Sequence, residues 1–321
     1  MMIFNKDKLI SILVFFFAYI ITFYILPFHV AGDQIHYSNA YFAVKDLNLS
    51  DALNGYRTFL HTGELGHFII TYIYSFLGLD RIFLICFLNA LLAVLFYSFL
   101  RSRGWGFLFS IFLVITNYYM YSVFFTLERL KVAFIFLLFF YHYRNHLFLI
   151  FSFFSHVTIA LPVSFIYFSS RFKAFLTLSS LNISLKKNFI LLAPLIILFF
   201  IGVILMFYHY MFIHIADKIT ELKTGRYMLS YIDLPQIFIV YLWTFLASGR
   251  SSRLEVSIFF LLLALAWYPL NGTRINMIGY IGFLYFAKPT NKYAVIFASL
   301  LSFILLFKSL IYINMIIETG G

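Results

Sequence analysis

The stretch LISILVFFFAYIITFYILPF, from Leu9 to Phe28, follows Lys6 and Lys8, and from Ile10 to Ile25 it carries no ionisable side chain other than tyrosine. About 20 apolar residues in a helix cross the hydrocarbon of a bilayer, so this stretch predicts a membrane span. It has no small-residue cleavage site and runs past the length of a signal-peptide core, which makes it a retained span. Lys6 and Lys8 place the amino terminus on the cytoplasmic side, because positive charges resist translocation.

The rest of the chain has the same character. Of its 321 residues 63% are hydrophobic and 11% charged, against roughly 45–50% and about 25% in an ordinary soluble protein. A soluble globular protein is excluded. Apolar segments at 9–28, 82–100, 105–121, 124–141, 146–156, 157–169, 189–209, 234–248, 255–271, 274–287 and 293–311 predict an all-α, polytopic integral membrane protein of about eleven transmembrane helices. The shorter stretch 66–79 is expected to lie along the interface or to re-enter. Two larger periplasmic loops, about 29–65 and about 210–233, separate these segments, and no room remains for a soluble catalytic domain. Residues 1–321 therefore read as a single transmembrane domain.

The net charge of +11 is accounted for by orientation. If 66–79 does not cross, one threading collects Lys6, Lys8, Arg101, Arg103, Arg144, Arg171, Lys173, Lys186, Lys187, Arg250, Arg253, Lys288 and Lys292 on the cytoplasmic side, with only Asp7 and Glu255 beside them. Those thirteen bases and two acids carry the whole excess, and the remaining ten of each sign balance outside. The basic residues are topology signals, and nucleic acid is not needed as a partner. The same threading requires 146–168 to be two short segments meeting near His156, with Pro162 as the local breaker. Backbone groups freed at such a point must be satisfied by protein or water, which makes it a candidate cavity.

Soluble-enzyme motifs are missing. Cys86 is alone in an apolar run and offers neither disulfide nor metal-thiolate chemistry. The pairs His61 and His67, His142 and His146, and His209 and His214 lack the spacing and acidic partners of a zinc motif, so no metal site is expected. No G-x-S-x-G, P-loop or dinucleotide fingerprint supports a hydrolase, ATPase or oxidoreductase.

Ionisable residues cluster instead at predicted outer helix ends: Asp33 with His36 and Tyr37; Glu128, Arg129 and Lys131; and Arg274 beside Asn271 and Asn276. Such groups are expensive in lipid and usually face a polar cavity, although at helix ends they also snorkel. Glu128 and Lys131, at i and i+3, are expected to pair, which would leave Arg129 on another face and free to hold a ligand. The planar guanidinium fork suits a phosphate. Arg226 followed by Tyr227 in the second outer loop offers the same chemistry beside an aromatic face. His156 interrupts an apolar run at the expected break, where either a base or a satisfied buried imidazole fits.

Short pieces spread over most of the chain carry a resemblance. They are Asp33-Gln-Ile-His-Tyr37; Glu64-Leu-Gly-His-Phe68 with Gly78; Arg129-Leu-Lys-Val-Ala133; Phe154-Ser-His156 with Ala160-Leu-Pro162; and Arg274 before Tyr280. In order, spacing and common external placement they resemble the EpsG and Wzy polysaccharide polymerases of bacterial inner membranes, except that Leu130 and Lys131 stand where that family usually has a glutamine after the arginine.

The resemblance implies a glycosyltransferase that moves a growing glycan from undecaprenyl pyrophosphate to a hydroxyl of the next lipid-linked repeat unit, for O-antigen, lipopolysaccharide or capsule. It implies the lipid-linked oligosaccharide and membrane lipid as partners, a polysaccharide chain-length regulator as a further one, and no cofactor. Arg129, Arg226 and Arg274 would form the pyrophosphate or glycan clamp, with Tyr37, Glu64 and Tyr227 in the binding site. His156, Asp33 and Glu128 are the base candidates, in that order. The competing readings are a lipid-linked oligosaccharide flippase, which would be expected to show two related halves, an O-antigen ligase, and a membrane O-acetyltransferase.

Overall fold

The structure, a computed structural model, describes residues 6–60, 64–156, 159–178, 233–266 and 272–321. Among these the regular elements are all helical. The helices are α1 (Lys6–Ile25, prolonged by a 3-10 turn over Leu26–Phe28), α2 (Asp33–Ala43), α3 (Leu49–Leu60), α4 (Leu65–Phe76), α5 (Arg81–Ser102), α6 (Phe107–Ile115) and α7 (Tyr118–Phe125). They continue as α8 (Glu128–Tyr143), α9 (His146–Ser155), α10 (Ala160–Leu178), α11 (Asp233–Ala247), α12 (Arg253–Leu265), α13 (Gly272–Phe286) and α14 (Lys292–Thr319). The chain groups into two compact units, one of residues 1–162 with 288–321 and one of 163–287.

The expectation of eleven crossings is corrected. Among the described residues three helices are long and apolar enough to cross a membrane: α1 with its 3-10 turn (23 residues), α5 (22 residues) and α14 (28 residues). The pair α6 and α7, bent by 51°, would make a fourth if it were one span. The expected segment 189–209 lies outside the described residues. Two of the other expected segments are interrupted by local hydrogen bonding that hydropathy does not register. The 105–121 segment breaks at Asn117, whose side chain accepts from Tyr119 N at 3.0 Å and starts α7. The 124–141 segment becomes a helix only from Glu128, which leaves α8 with 16 residues, or about 24 Å of rise against roughly 30 Å of hydrocarbon. At its end Arg144 adopts a left-handed conformation (φ 57°), and Asn145 caps α9 by accepting from Leu147 N at 3.0 Å.

Two other expectations meet the structure differently. The 12-residue α4 is too short to span, as anticipated for 66–79, since about 18 Å of helix does not cross the hydrocarbon. The stretch 29–65, expected as an outer loop, contains α2 and α3. Their buried faces repeat at helical spacing, with Tyr37, Ala40 and Val44 on one side and Ala52, Tyr56 and Leu60 on the other, all packed with Phe68 of α4.

The break near His156 is present. Helix α9 stops at Ser155, His156 is extended (φ −165°, ψ 117°), and α10 begins at Ala160. Pro162 is not the breaker. It sits in the first turn of α10, where a missing N–H leaves no helical hydrogen bond unmade. Helix α10 also runs on to Leu178, past the expected end at 169.

Within the first unit α1 and α5 are antiparallel. Asp7 meets Arg101 Nε at 3.2 Å and Tyr97 Oη at 3.2 Å near one end. Toward the other end, Asn89 Nδ2 donates to Thr22 Oγ1 at 3.0 Å and the Phe23 and Phe83 rings stack. Helix α14 follows the same axis, from Pro289, which lies beside Gly104, to Gly320, whose carbonyl accepts from Val30 N and Ala31 N. Lys6, Lys8, Arg101, Arg103, Lys288 and Lys292 therefore share one end of this unit. Arg144 joins them, stacked over Tyr141, whose hydroxyl accepts from Ser102 Oγ at 3.3 Å. The first residues of α5 and α8, together with α2 to α4, occupy the opposite end.

In the second unit α11, α12 and α13 pack through Tyr241 Oη and Ser257 Oγ at 3.2 Å and through the Asn276–Gln236 hydrogen bond at 2.9 Å. Gly282 gives the Phe259 ring its room, since a Cβ there would lie 2.4 Å from the ring.

Candidate functional site

The site is built around the interruption between α7 and α8. The turn at Thr126 and Leu127 ends one helix and starts the next, leaving the Phe124 and Phe125 carbonyls outside the helical ladder. Side chains take them up: Lys131 Nζ at 2.9 Å and Asn89 Nδ2 at 3.1 Å donate to Phe124 O, and Gln34 Nε2 donates to Phe125 O. Buried backbone carbonyls persist only with such partners.

This arrangement overturns the expected Glu128–Lys131 pair. Lys131 is fully buried and reaches back to the carbonyl of Phe124. Glu128 turns toward the start of α5, where Arg81 donates to its Oε1, while His67 Nε2 lies 3.8 Å from its Oε2. Nor is Arg129 left free. Its Nη1 donates to Glu64 Oε2 at 2.9 Å and its Nε to the Tyr37 hydroxyl at 3.4 Å. Thus the i,i+3 rule for a helix surface yields to cross-chain pairing, because at the first turn of α8 three other elements come within reach.

Glu64 is the junction. It stands at the N-cap of α4 but makes no side-chain cap to the helix. Instead its Oε2 holds Arg129, and its Oε1 lies 2.5 Å from Nδ1 of His156. Burial pushes the Glu64 carboxyl up, but the hydrogen bond with His156 and the charges of His156, Arg129 and His67 outweigh that and hold it below the usual carboxylate range. The approach of α4 to His156 depends on Gly66, where a Cβ would lie 2.1 Å from Ser155 Oγ and 2.8 Å from Ser155 N.

Beneath this layer lies a second. His67 Nδ1 is 2.8 Å from the Tyr56 hydroxyl, and the rings of Tyr37 and Tyr56 flank the imidazole at 5.6 and 5.8 Å. Arg81 donates to Gln34 Oε1 as well as to Glu128. Arg129 is the most exposed of the charged side chains in the two layers, at 24%, against 9% for Glu128.

Of the residues picked from the sequence, Tyr37, Glu64, Arg129 and His156 meet directly, and Glu128 lies in the deeper layer. Asp33 is exposed at the start of α2, one turn from Tyr37, and stands outside this hydrogen-bonded set. Arg274 is partly buried in α13 of the second unit. Arg226 and Tyr227 lie outside the described residues. Sequence reasoning missed Arg81, His67, Tyr56 and Gln34. Arg81 had one local signal: a cation at the first residue of a helix opposes the macrodipole and calls for an acidic partner.

Among the described residues, no three His, Cys, Asp or Glu side chains gather as a metal-binding set. No protein family, curated protein or solved structure matches the chain. Chemically, the site offers an imidazole beside a carboxylate and, on the same carboxylate, a partly exposed guanidinium.

Proposed function

We propose that this chain is a polysaccharide polymerase of the EpsG and Wzy kind, a glycosyltransferase that joins undecaprenyl-pyrophosphate-linked oligosaccharide repeat units at the periplasmic face of a bacterial inner membrane. The observation that carries the reading is the junction at Glu64, whose two oxygens hold Arg129 and His156. Four of the residues on which the resemblance rests, Tyr37, Glu64, Arg129 and His156, come from four separate pieces of sequence and form one contact set. The periplasmic placement is supported by the position of this set, at the end of the first unit away from Lys6, Lys8, Arg101 and Arg103.

The reaction follows from these roles. With its Nδ1–H turned to Glu64, the His156 imidazole carries its basic lone pair on Nε2. Nε2 takes the proton of the acceptor hydroxyl, the hydroxyl oxygen bonds to the anomeric carbon of the donor, and the bond from that carbon to the diphosphate oxygen breaks. Arg129 exchanges Glu64 for the diphosphate as negative charge develops on the leaving group. Arg226 and Arg274 remain further cation candidates on the strength of the resemblance. Glu128 is a poorer base than His156, because both its oxygens face cations or donors in the buried layer.

The deciding experiment is the glycan ladder of a strain lacking this chain. A single repeat unit on the lipid A core supports a polymerase. Loss of all repeat units would replace the reading with a flippase or a ligase.

A further inference from the structure

We infer that Arg81, acting through Glu128, is a positioning residue for Arg129; the inference rests on the polymerase reading, in which Arg129 meets the donor diphosphate. Arg81 opens α5 directly after Asp80, whose side chain caps that helix by accepting from Ile82 N at 2.7 Å. A single nitrogen of Arg81, Nη2, donates both to Gln34 Oε1 of α2 and to Glu128 Oε1 of α8. Gln34 in turn donates to the Phe125 carbonyl at the helix interruption. Arg81 thereby ties α2, the end of α7 and the first turn of α8 to the start of α5, and the residue after its carboxylate partner is Arg129.

The charges within the pair cancel. Glu128 is buried to 9% side-chain exposure and Arg81 to 16%, while Arg129 in the layer above is 24% exposed. A diphosphate arriving at Arg129 meets Arg81 already matched by its own acid. The pair fixes where the α8 terminus sits, and so the direction in which Arg129 leaves the helix.

Geometry separates this role from that of a phosphate ligand. Arg81 uses one nitrogen for two acceptors, which an ammonium with three donors can reproduce. Arg129 uses two nitrogens, Nη1 toward Glu64 and Nε toward Tyr37, which an ammonium cannot.

The test measures binding of inorganic pyrophosphate to the purified full-length protein in detergent, with melting temperature recorded alongside. Arg81→Lys is expected to stay within about threefold of the wild type, whereas Arg81→Gln and Glu128→Gln each weaken binding by about tenfold or more, the scale of coupling between residues in one network. The double variant Arg81→Gln/Glu128→Gln is expected to bind more tightly than either single, because neither member of the pair is left facing the other's vacant place. Additive losses in the double variant would overturn the proposal, as would an Arg81→Lys as weak as Arg81→Gln. Lower melting temperatures with unchanged affinity of the folded protein would also overturn it. If a single glutamine variant does not fold, Arg81→Lys is compared with Arg129→Lys, and equal losses in the two reject the positioning role. Absence of pyrophosphate binding by the wild type would sink the polymerase reading itself, a result distinct from binding that is indifferent to Arg81.

Discussion

Nδ1 of His156 and Oε1 of Glu64 lie 2.5 Å apart across 92 positions of sequence, and the other oxygen of that carboxylate holds Arg129 at 2.9 Å. One side chain thus links the group suited to taking a proton with the group suited to holding a phosphate.

Replacing His156 with Gln keeps much of the volume and a hydrogen-bonding group opposite Glu64. If His156 is the base, transfer between synthetic lipid-linked repeat units is expected to slow by about 10²–10⁴-fold, with donor binding preserved. A purely structural imidazole would instead leave a heat-labile protein, destabilised by about 1–3 kcal/mol. Wild-type rate and wild-type stability together would reject both roles and move the base to Asp33 or Glu128.

Arg129→Lys keeps the charge but not the two-nitrogen geometry toward Glu64 and Tyr37. Most polymerisation is expected to be lost in a well-expressed variant, read as a collapsed glycan ladder. A full-length ladder would reduce Arg129 to a structural ion pair.

Gly66→Ala drives a Cβ into Ser155, with backbone atoms among the clashes, so no rotamer change relieves it. A loss of about 1–3 kcal/mol, the usual cost of overpacking, is expected in denaturation in detergent. Gly106→Ala is the control, since nothing lies within 4 Å of its Cβ position and its φ of −58° suits alanine. Equal stability of the two variants would show that α4 does not depend on this close approach.

Glu64 has a lowered pKa in the folded protein. Its contribution is therefore fully present above the carboxyl's unfolded value and disappears as pH falls through the lower, folded one. The melting temperature of the wild type is expected to exceed that of Glu64→Gln at neutral pH, and the gap to close on acidification below the ordinary carboxylate range. A gap that stays constant with pH would mean that the negative charge of Glu64 stabilises nothing.

Orientation is tested by reporter fusions. Fusions after Arg103, Lys187 and Arg253 are expected to read cytoplasmic, and fusions at Asp80 and between Asp217 and Arg226 periplasmic, as the thirteen-to-two division of charges requires. A periplasmic signal after Lys187 would reverse the path of the chain through 146–187.

Composition and local pattern by themselves determined that the protein is helical and built for lipid, because apolar runs such as Leu9 to Phe28 have no other stable solution in a bilayer. The division of charges along the chain also pointed to the break at His156, although not to its cause, since Pro162 lies inside α10. The number of long helices was not legible, since single asparagines such as Asn117 and Asn145 restart helices by capping a neighbour's N–H without changing average hydropathy. The partners of Glu128, Lys131 and Arg129 were decided only by tertiary structure. Local spacing pairs Glu128 with Lys131, but the turn at Thr126 and Leu127 exposes a carbonyl for the lysine and brings Arg81 and Glu64 to the other two. Burial makes each of these charges seek a partner, and which partner it finds depends on helices that are distant in sequence.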